Sequence, residues 1–341
     1  MKTKILIACV GLQVLLLALM AGQREWVART GRTVWFRTAP VDPRDVMRGD
    51  YVRLNYDFSR VPRELCRGEL ASTNSTFEKM PADTRVYASL REDEDGVARL
   101  VSLGLDRPRD GLYMRGRTQR FSGQDLQVRY GLEAWFLEQG KGREIEAGRN
   151  REGIQVPLEM QAAVSADGIV VLKDHRWCPL GVGLNFETTN SATGRGSGPR
   201  RLLAATVRLL NASSNDVAVV DLPGGGSLAL VPDHTWGQNP WHWSPPDTNQ
   251  PPPTAANVVV LKPGQIHSIR VAFDDPQWSV SKADKPGETR RLNELNQDWN
   301  ARFRLEYRPP DRAACTNLPQ ANLIWHGTLP SRMFSPAGTV D

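Results

Sequence analysis

The stretch Gly49-Asp50-Tyr51-Val52-Arg53-Leu54-Asn55-Tyr56 decides the fold class. Gly-Asp is a turn dipeptide. The residues after it alternate as a strand does, with Val52, Leu54 and Tyr56 on one face and Tyr51, Arg53 and Asn55 on the other. Upstream, Asp42-Pro43 disfavours helical backbone at Asp42, so residues 42–50 read as a turn region that feeds the strand. Working outward, the same period of two recurs at residues 85–90, 97–103, 112–118, 126–130, 155–164 and 169–173. Asp167-Gly168 marks a hairpin between the last two. In this part of the chain only residues 143–150 carry a short helical pattern.

Composition agrees. The 341 residues contain 29 Gly and 24 Pro, above average usage but below the roughly 25–30 % of disordered chains. The hydrophobic share of 40 % is enough for a core. Lys and Arg number 43 against 38 Asp and Glu, a net charge of +5, and Arg outnumbers Lys by 35 to 8. These values exclude a coiled coil, a collagen, a disulfide mini-protein and a polytopic membrane protein. The basic excess is dispersed and not interleaved with aromatics, which argues against a nucleic-acid partner.

Residues 5–21 are apolar except for Gln13 and follow Lys2 and Lys4. This run is at the lower edge of what spans a bilayer. It reads as a transmembrane signal anchor over residues 1–24, or as a signal peptide that is removed. Leu19 at the −3 position of Leu19-Met20-Ala21 makes a poor cleavage site. Either form places the bulk of the chain outside the cytoplasm. Leu6-Ile7-Ala8-Cys9 lies too early in the apolar run to be a lipidation box. Cys66, Cys178 and Cys315 show no CxxC spacing, which leaves one disulfide with a free thiol, or three buried thiols.

The segment Gly49-Asp50-Tyr51-Val52-Arg53-Leu54-Asn55-Tyr56 resembles the signature of the GDYXXLXY family at all five fixed positions. The lead-in Pro40-Val41-Asp42-Pro43-Arg44-Asp45 with Arg48, and the later Arg129-Tyr130-Gly131-Leu132-Glu133-Ala134-Trp135-Phe136-Leu137-Glu138, resemble it too. The resemblance covers about residues 32–178. It implies a membrane-anchored bacterial protein of uncharacterised function and carries over no catalytic residues; together with the apolar segment, the expected place is the cell inner membrane, single-pass, with the bulk of the chain in the periplasm. Asp42, Arg44, Asp45, Arg48, Asp50 and Tyr51 form its most polar group. They read as turn and packing residues that aim the strand, or as a peptide- or polyanion-binding site built on Arg forks. The acidic spacing lacks the pattern of a calcium loop, so no metal is expected. Glu133, Glu138, Glu144 and Glu146 alternate with Lys141 and Arg143 and read as ion pairs on a solvated face.

Residues 179–200 are expected to be a linker or exposed loop, with a Thr/Ser/Gly-rich stretch from 188 onward. Beyond it, strand-like runs at 202–210, 217–222, 227–231, 258–261, 265–273, 301–307 and 323–326, with a short helix at 291–299, point to an immunoglobulin-like β-sandwich over 201–341. The Pro-rich loop between them carries Trp236, Trp241 and Trp243. Those rings either stack on a glycan or protein partner, or fold back over the sandwich edge.

The expected architecture is therefore mainly β: an N-terminal transmembrane helix, a β-rich domain over 32–178 and a sandwich domain. His175, His234, His242, His267 and His326 fall in no catalytic spacing, and no nucleophile elbow, phosphate loop or dinucleotide fingerprint is present. The expectation is a non-catalytic binding or scaffolding module of the bacterial cell envelope, without a cofactor, held to the membrane by its helix and facing an envelope protein or glycan. The alternative is an envelope hydrolase working through Asp/Glu or a metal.

Overall fold

The computed structural model describes residues 2–39, 51–71, 81–119, 125–136, 145, 148–188, 202–233, 239–243, 245, 251–282, 284–298 and 300–337. The chain is mainly β, with one long helix at its start, as the alternation requires. That helix, Lys2–Thr30, runs past residue 24, where the apolar run placed its end. Its apolar part stands clear of the rest of the protein, with Ile5, Leu12 and Leu19 all largely exposed. Only its last turns dock. Val27 is buried against the strands Leu158–Val164 and Val170–Trp177. Gly31 then turns the chain directly into the strand Arg32–Ala39, donating its N–H to the Val27 carbonyl at 2.8 Å.

Arg32–Ala39 is an inner strand of an antiparallel sheet ordered Val170–Trp177, Leu158–Val164, Arg32–Ala39, Asn55–Tyr56. A second antiparallel sheet runs Arg60–Val61, Leu126–Arg129, Leu112–Thr118, Arg85–Glu92, Ala98–Gly104. The two share a core that includes Phe36, Tyr56, Phe58, Val86, Met114 and Met160. The hairpin expected at Asp167-Gly168 is present, with Gly168 in the left-handed region at φ 73°.

The run 51–56 is two strands rather than one. Tyr51–Arg53 pairs with Ala134–Phe136, and Asn55–Tyr56 pairs with the end of Arg32–Ala39. Leu54 joins them, its N–H bound to the Glu133 carbonyl at 2.9 Å. The alternation survives the break: Leu54 and Tyr56 are buried and Arg53 is exposed. Tyr56 stacks on Phe58 with ring centroids 4.8 Å apart. Its hydroxyl donates to the Leu132 carbonyl at 3.2 Å. Burial, and then the Glu133 charge, push its pKa far up, so this phenol stays protonated.

The second unit is built on a five-stranded antiparallel sheet ordered Asn150–Arg151, Ile154–Gln155, Leu180–Thr188, Leu202–Asn211, Ile266–Ala272. Three of these strands precede residue 201, where the immunoglobulin-like reading began. Leu180–Thr188 also occupies part of the expected linker 179–200, of which residues 189–200 lie outside the described residues. Smaller antiparallel sheets complete the unit, among them Leu228–Pro232, Phe303–Tyr307 and Leu329–Pro330. Its core includes Phe273, Trp278, Phe303, Tyr307 and Phe334. The helix expected at 291–299 is a 3-10 turn, Leu292–Leu295, and the strand expected at 323–326 begins with another, Ala321–Leu323. Cys66, Cys178 and Cys315 are three buried free thiols. Burial pushes the thiols of Cys66 and Cys178 up, to about 11 and about 12, which keeps both neutral and unreactive.

The helix–strand junction depends on the missing side chain of Gly31. A Cβ there would lie 2.7 Å from the Val27 carbonyl oxygen and 3.1 Å from the Ala163 Cβ. Gly31→Ala should therefore destabilise the detergent-solubilised protein by about 1–3 kcal/mol in chemical denaturation. Gly22→Ala, with nothing within 4 Å of the added carbon, should leave the midpoint unchanged or slightly raised.

Candidate functional site

Among the described residues, a group of buried charges lies where the two units meet. Arg37, Glu159 and Arg176 are direct cross-strand neighbours in one row, because Arg37 pairs with Glu159 and Glu159 with Arg176 in the sheet register. Their side chains thus reach the same face. Arg37 donates to Glu159 Oε1 from Nε at 3.1 Å and from Nη2 at 2.6 Å. Arg176 binds the other oxygen, Oε2, at 2.7 Å and lays its guanidinium 4.1 Å from the Trp35 ring centre.

Two further segments close over this row. The turn between Arg85–Glu92 and Ala98–Gly104 brings Asp95, whose Oδ2 accepts from Arg37 Nη2 at 2.7 Å. From the second unit, the Thr328 carbonyl accepts from Arg37 Nη1 at 2.5 Å, and the Trp325 ring lies 5.5 Å from the guanidinium carbon. Trp325 in turn stacks on Tyr307 of the second core. Arg99 pairs with Asp93 and lies 3.8 Å from Asp95. Gly327 is required here, because a Cβ would overlap the Asp95 carboxylate and the Trp325 ring.

Three Arg and three carboxylates balance in this cluster. Side chains of Arg37, Asp95 and Glu159 are only 5 %, 3 % and 1 % exposed, which takes all three charges out of water. Burial alone would lower the Arg37 pKa; the Glu159 and Asp95 carboxylates beside it outweigh that and hold the guanidinium more firmly charged than in water. Asp95 and Glu159 are both committed to guanidinium groups. The chemistry of the cluster is that of a clasp: it joins the first sheet, the Asp95 turn and the segment around Thr328. Glu94 adds to it by accepting from the Arg312 backbone N–H at 2.9 Å.

The residues singled out from the sequence lie elsewhere. Asp42, Arg44, Asp45, Arg48, Asp50 and Trp236 fall outside the described residues, and of Tyr51 only the backbone strand is described. Trp241 is 2 % exposed, with Nε1 donating to Asp298 at 2.7 Å. Trp243 is partly buried; it stacks on Trp278 and donates Nε1 to the Gln277 carbonyl at 3.0 Å. These two rings fold back over the second unit, the packing alternative for the Trp loop. Among the described residues no group of three or more His, Cys, Asp or Glu is placed to hold a metal ion.

Arg37 and Glu159 were invisible to sequence reasoning because alternation reports one buried face. Here Arg37 and Glu159 on the other face are covered as well, although Thr33 on that face stays exposed. The signal was present only in Leu158–Val164, where Glu159 is the one charged residue in a mostly apolar run that also holds Gln161.

Removing one partner of a buried ion pair typically destabilises by about 3–5 kcal/mol, because the other charge stays buried and uncompensated. Arg37→Met should show a loss of that size in chemical denaturation. Arg37→Met with Glu159→Met should recover about 1–3 kcal/mol of it. Additive losses would mean that the two side chains do not act together.

Residues 13–174 match the model of a family described as GDYXXLXY protein. No curated protein and no solved structure matches the chain. The matched span starts inside the N-terminal helix, contains the Leu54 and Tyr56 core positions and all of the Arg37–Glu159 pair, and ends in Val170–Trp177. Through this N-terminal portion, the chain is similar to the GDYXXLXY family.

Proposed function

We propose that the chain is a single-pass protein of the bacterial inner membrane, with its body in the periplasm, that serves as a non-catalytic binding or scaffolding module of the cell envelope. One observation carries the anchoring half of this reading. The helix Lys2–Thr30 exposes its whole apolar stretch, yet docks its last turns onto the first sheet and passes into Arg32–Ala39 through one residue. A continuous helix through residue 22 gives a signal peptidase no extended segment to cut, which favours a retained anchor over a removed signal peptide.

The scaffolding half is supported by the clasp. The best-assembled carboxylates, Asp95 and Glu159, are sealed by Arg37 and hold two units together rather than lining an open cleft. Binding is assigned to the residues the sequence singles out, Asp42, Arg44, Asp45, Arg48, Asp50 and Tyr51 together with Trp236, Trp241 and Trp243, as candidates for an envelope protein or glycan.

Affinity purification of the full chain from solubilised membranes tests both halves. The chain should resist alkaline extraction, retain its N-terminus by mass spectrometry and co-elute with an envelope protein or glycan. Release into the soluble fraction with an N-terminus near residue 22 would contradict the anchor. A chain that elutes alone and turns over ester, peptide or glycan substrates would contradict the module.

A further inference from the structure

Among the described residues outside the helix, only Val101 and Leu203 are large hydrophobics with high exposure. All others lie on Lys2–Thr30, and the last of them is Trp26, 70 % exposed beside Val27 at 3 %. Two adjacent residues thus face different surroundings. Val27 is held by the strands Leu158–Val164 and Val170–Trp177, and Trp26 is left largely outside.

The axial position of Trp26 gives that exposure a meaning. It follows Ala21, the end of the apolar run, by five residues, or about 7.5 Å of helix rise. The polar layer on each side of a bilayer is about 5–8 Å deep. The apolar run of residues 5–21 rises about 26 Å, a few ångströms less than the hydrocarbon core, so the flanking residues are drawn toward the membrane. Arg24, exposed between Ala21 and Trp26, has the long stem that lets a charge reach phosphate from such a depth. Glu25, the one acidic residue of this stretch, is paired with Arg29 at 2.7 Å.

We infer that Trp26 and Arg24 form a contact with the phospholipid headgroup layer that seats the first unit on the membrane surface. This deepens the anchored reading and rests on the helix crossing the bilayer. Indole rings settle at that level because they pair an apolar body with one N–H donor. Since Val27 is fixed in the first unit, the ring also sets the height and rotation of the Arg32–Ala39 sheet over the lipid. A flexible tether would leave both free.

The test uses the full chain in vesicles of phosphatidylcholine and phosphatidylglycerol. The emission of Trp26 is isolated as the difference between wild type and Trp26→Phe. Phospholipids brominated near the headgroup end of the acyl chain should quench it at least twofold, while aqueous iodide leaves it nearly unchanged. Leu15→Trp in the Trp26→Phe background reports separately on the span and should be quenched most by bromine near the chain end. If Leu15→Trp is quenched by lipid but Trp26 responds only to iodide, the helix crosses the membrane and the headgroup contact is wrong. If neither responds to lipid, the crossing itself fails and the contact falls with it.

Discussion

The structure depends on how one buried cation, Arg37, is satisfied. A guanidinium removed from water is tolerated only when its charge and donors are met. Here they are met from three directions: Glu159 on the adjacent strand, Asp95 on a turn of the opposing sheet, and the Thr328 carbonyl of the second unit. Losing Glu159 or Asp95 removes one of the two charges that compensate the buried cation, and losing Thr328 leaves one of its donors without an acceptor. A line of rigid elements therefore runs from the N-terminal helix through Gly31 and Arg32–Ala39 to Arg37, and from there to Trp325 and the second core. The second unit reciprocates, since Asn150–Arg151 and Ile154–Gln155, which sit in sequence within the GDYXXLXY span, complete its largest sheet.

The family signature gains a physical reading from this arrangement. Its Leu and final Tyr, Leu54 and Tyr56, are core residues, and the Tyr56 hydroxyl is spent on the Leu132 carbonyl. That half of the motif locks the short strand Asn55–Tyr56 onto the end of Arg32–Ala39, two residues beyond Arg37. The Trp-rich segment behaves in the same way where it is described. Trp241 and Trp243 contribute rings to the second core and cap it with Asp298 and the Gln277 carbonyl. Trp241 and Trp243 are thus taken up by packing, whereas Trp236 and residues 42–50 lie outside the described residues.

Much of the fold was legible. Period-two alternation placed Arg85–Glu92, Leu112–Thr118, Leu202–Asn211 and Phe303–Tyr307, and the apolar run placed the helix. What failed has identifiable causes. Leu180–Thr188 reads weakly as a strand because Gly181 and Gly183 interrupt it, and those glycines let the backbone approach Ile154 and Val156, where a Cβ would sit about 3 Å from their side chains. The run 51–56 could not announce that its two halves pair with different partners, because pairing is a long-range property. Trp241–Trp243 was hidden by its prolines. The clasp was the least legible part of all: Arg37, Asp95, Glu159 and Thr328 are far apart in the chain, and a charged residue covered on the other face of its sheet looks in sequence like one that points to solvent.

The central claim is that the two units unfold together because Arg37 and the shared sheet tie them. Scanning calorimetry of the full chain in detergent measures this directly. A single transition with equal calorimetric and van't Hoff enthalpies is the predicted result. Two resolved transitions, one for each core, would contradict it.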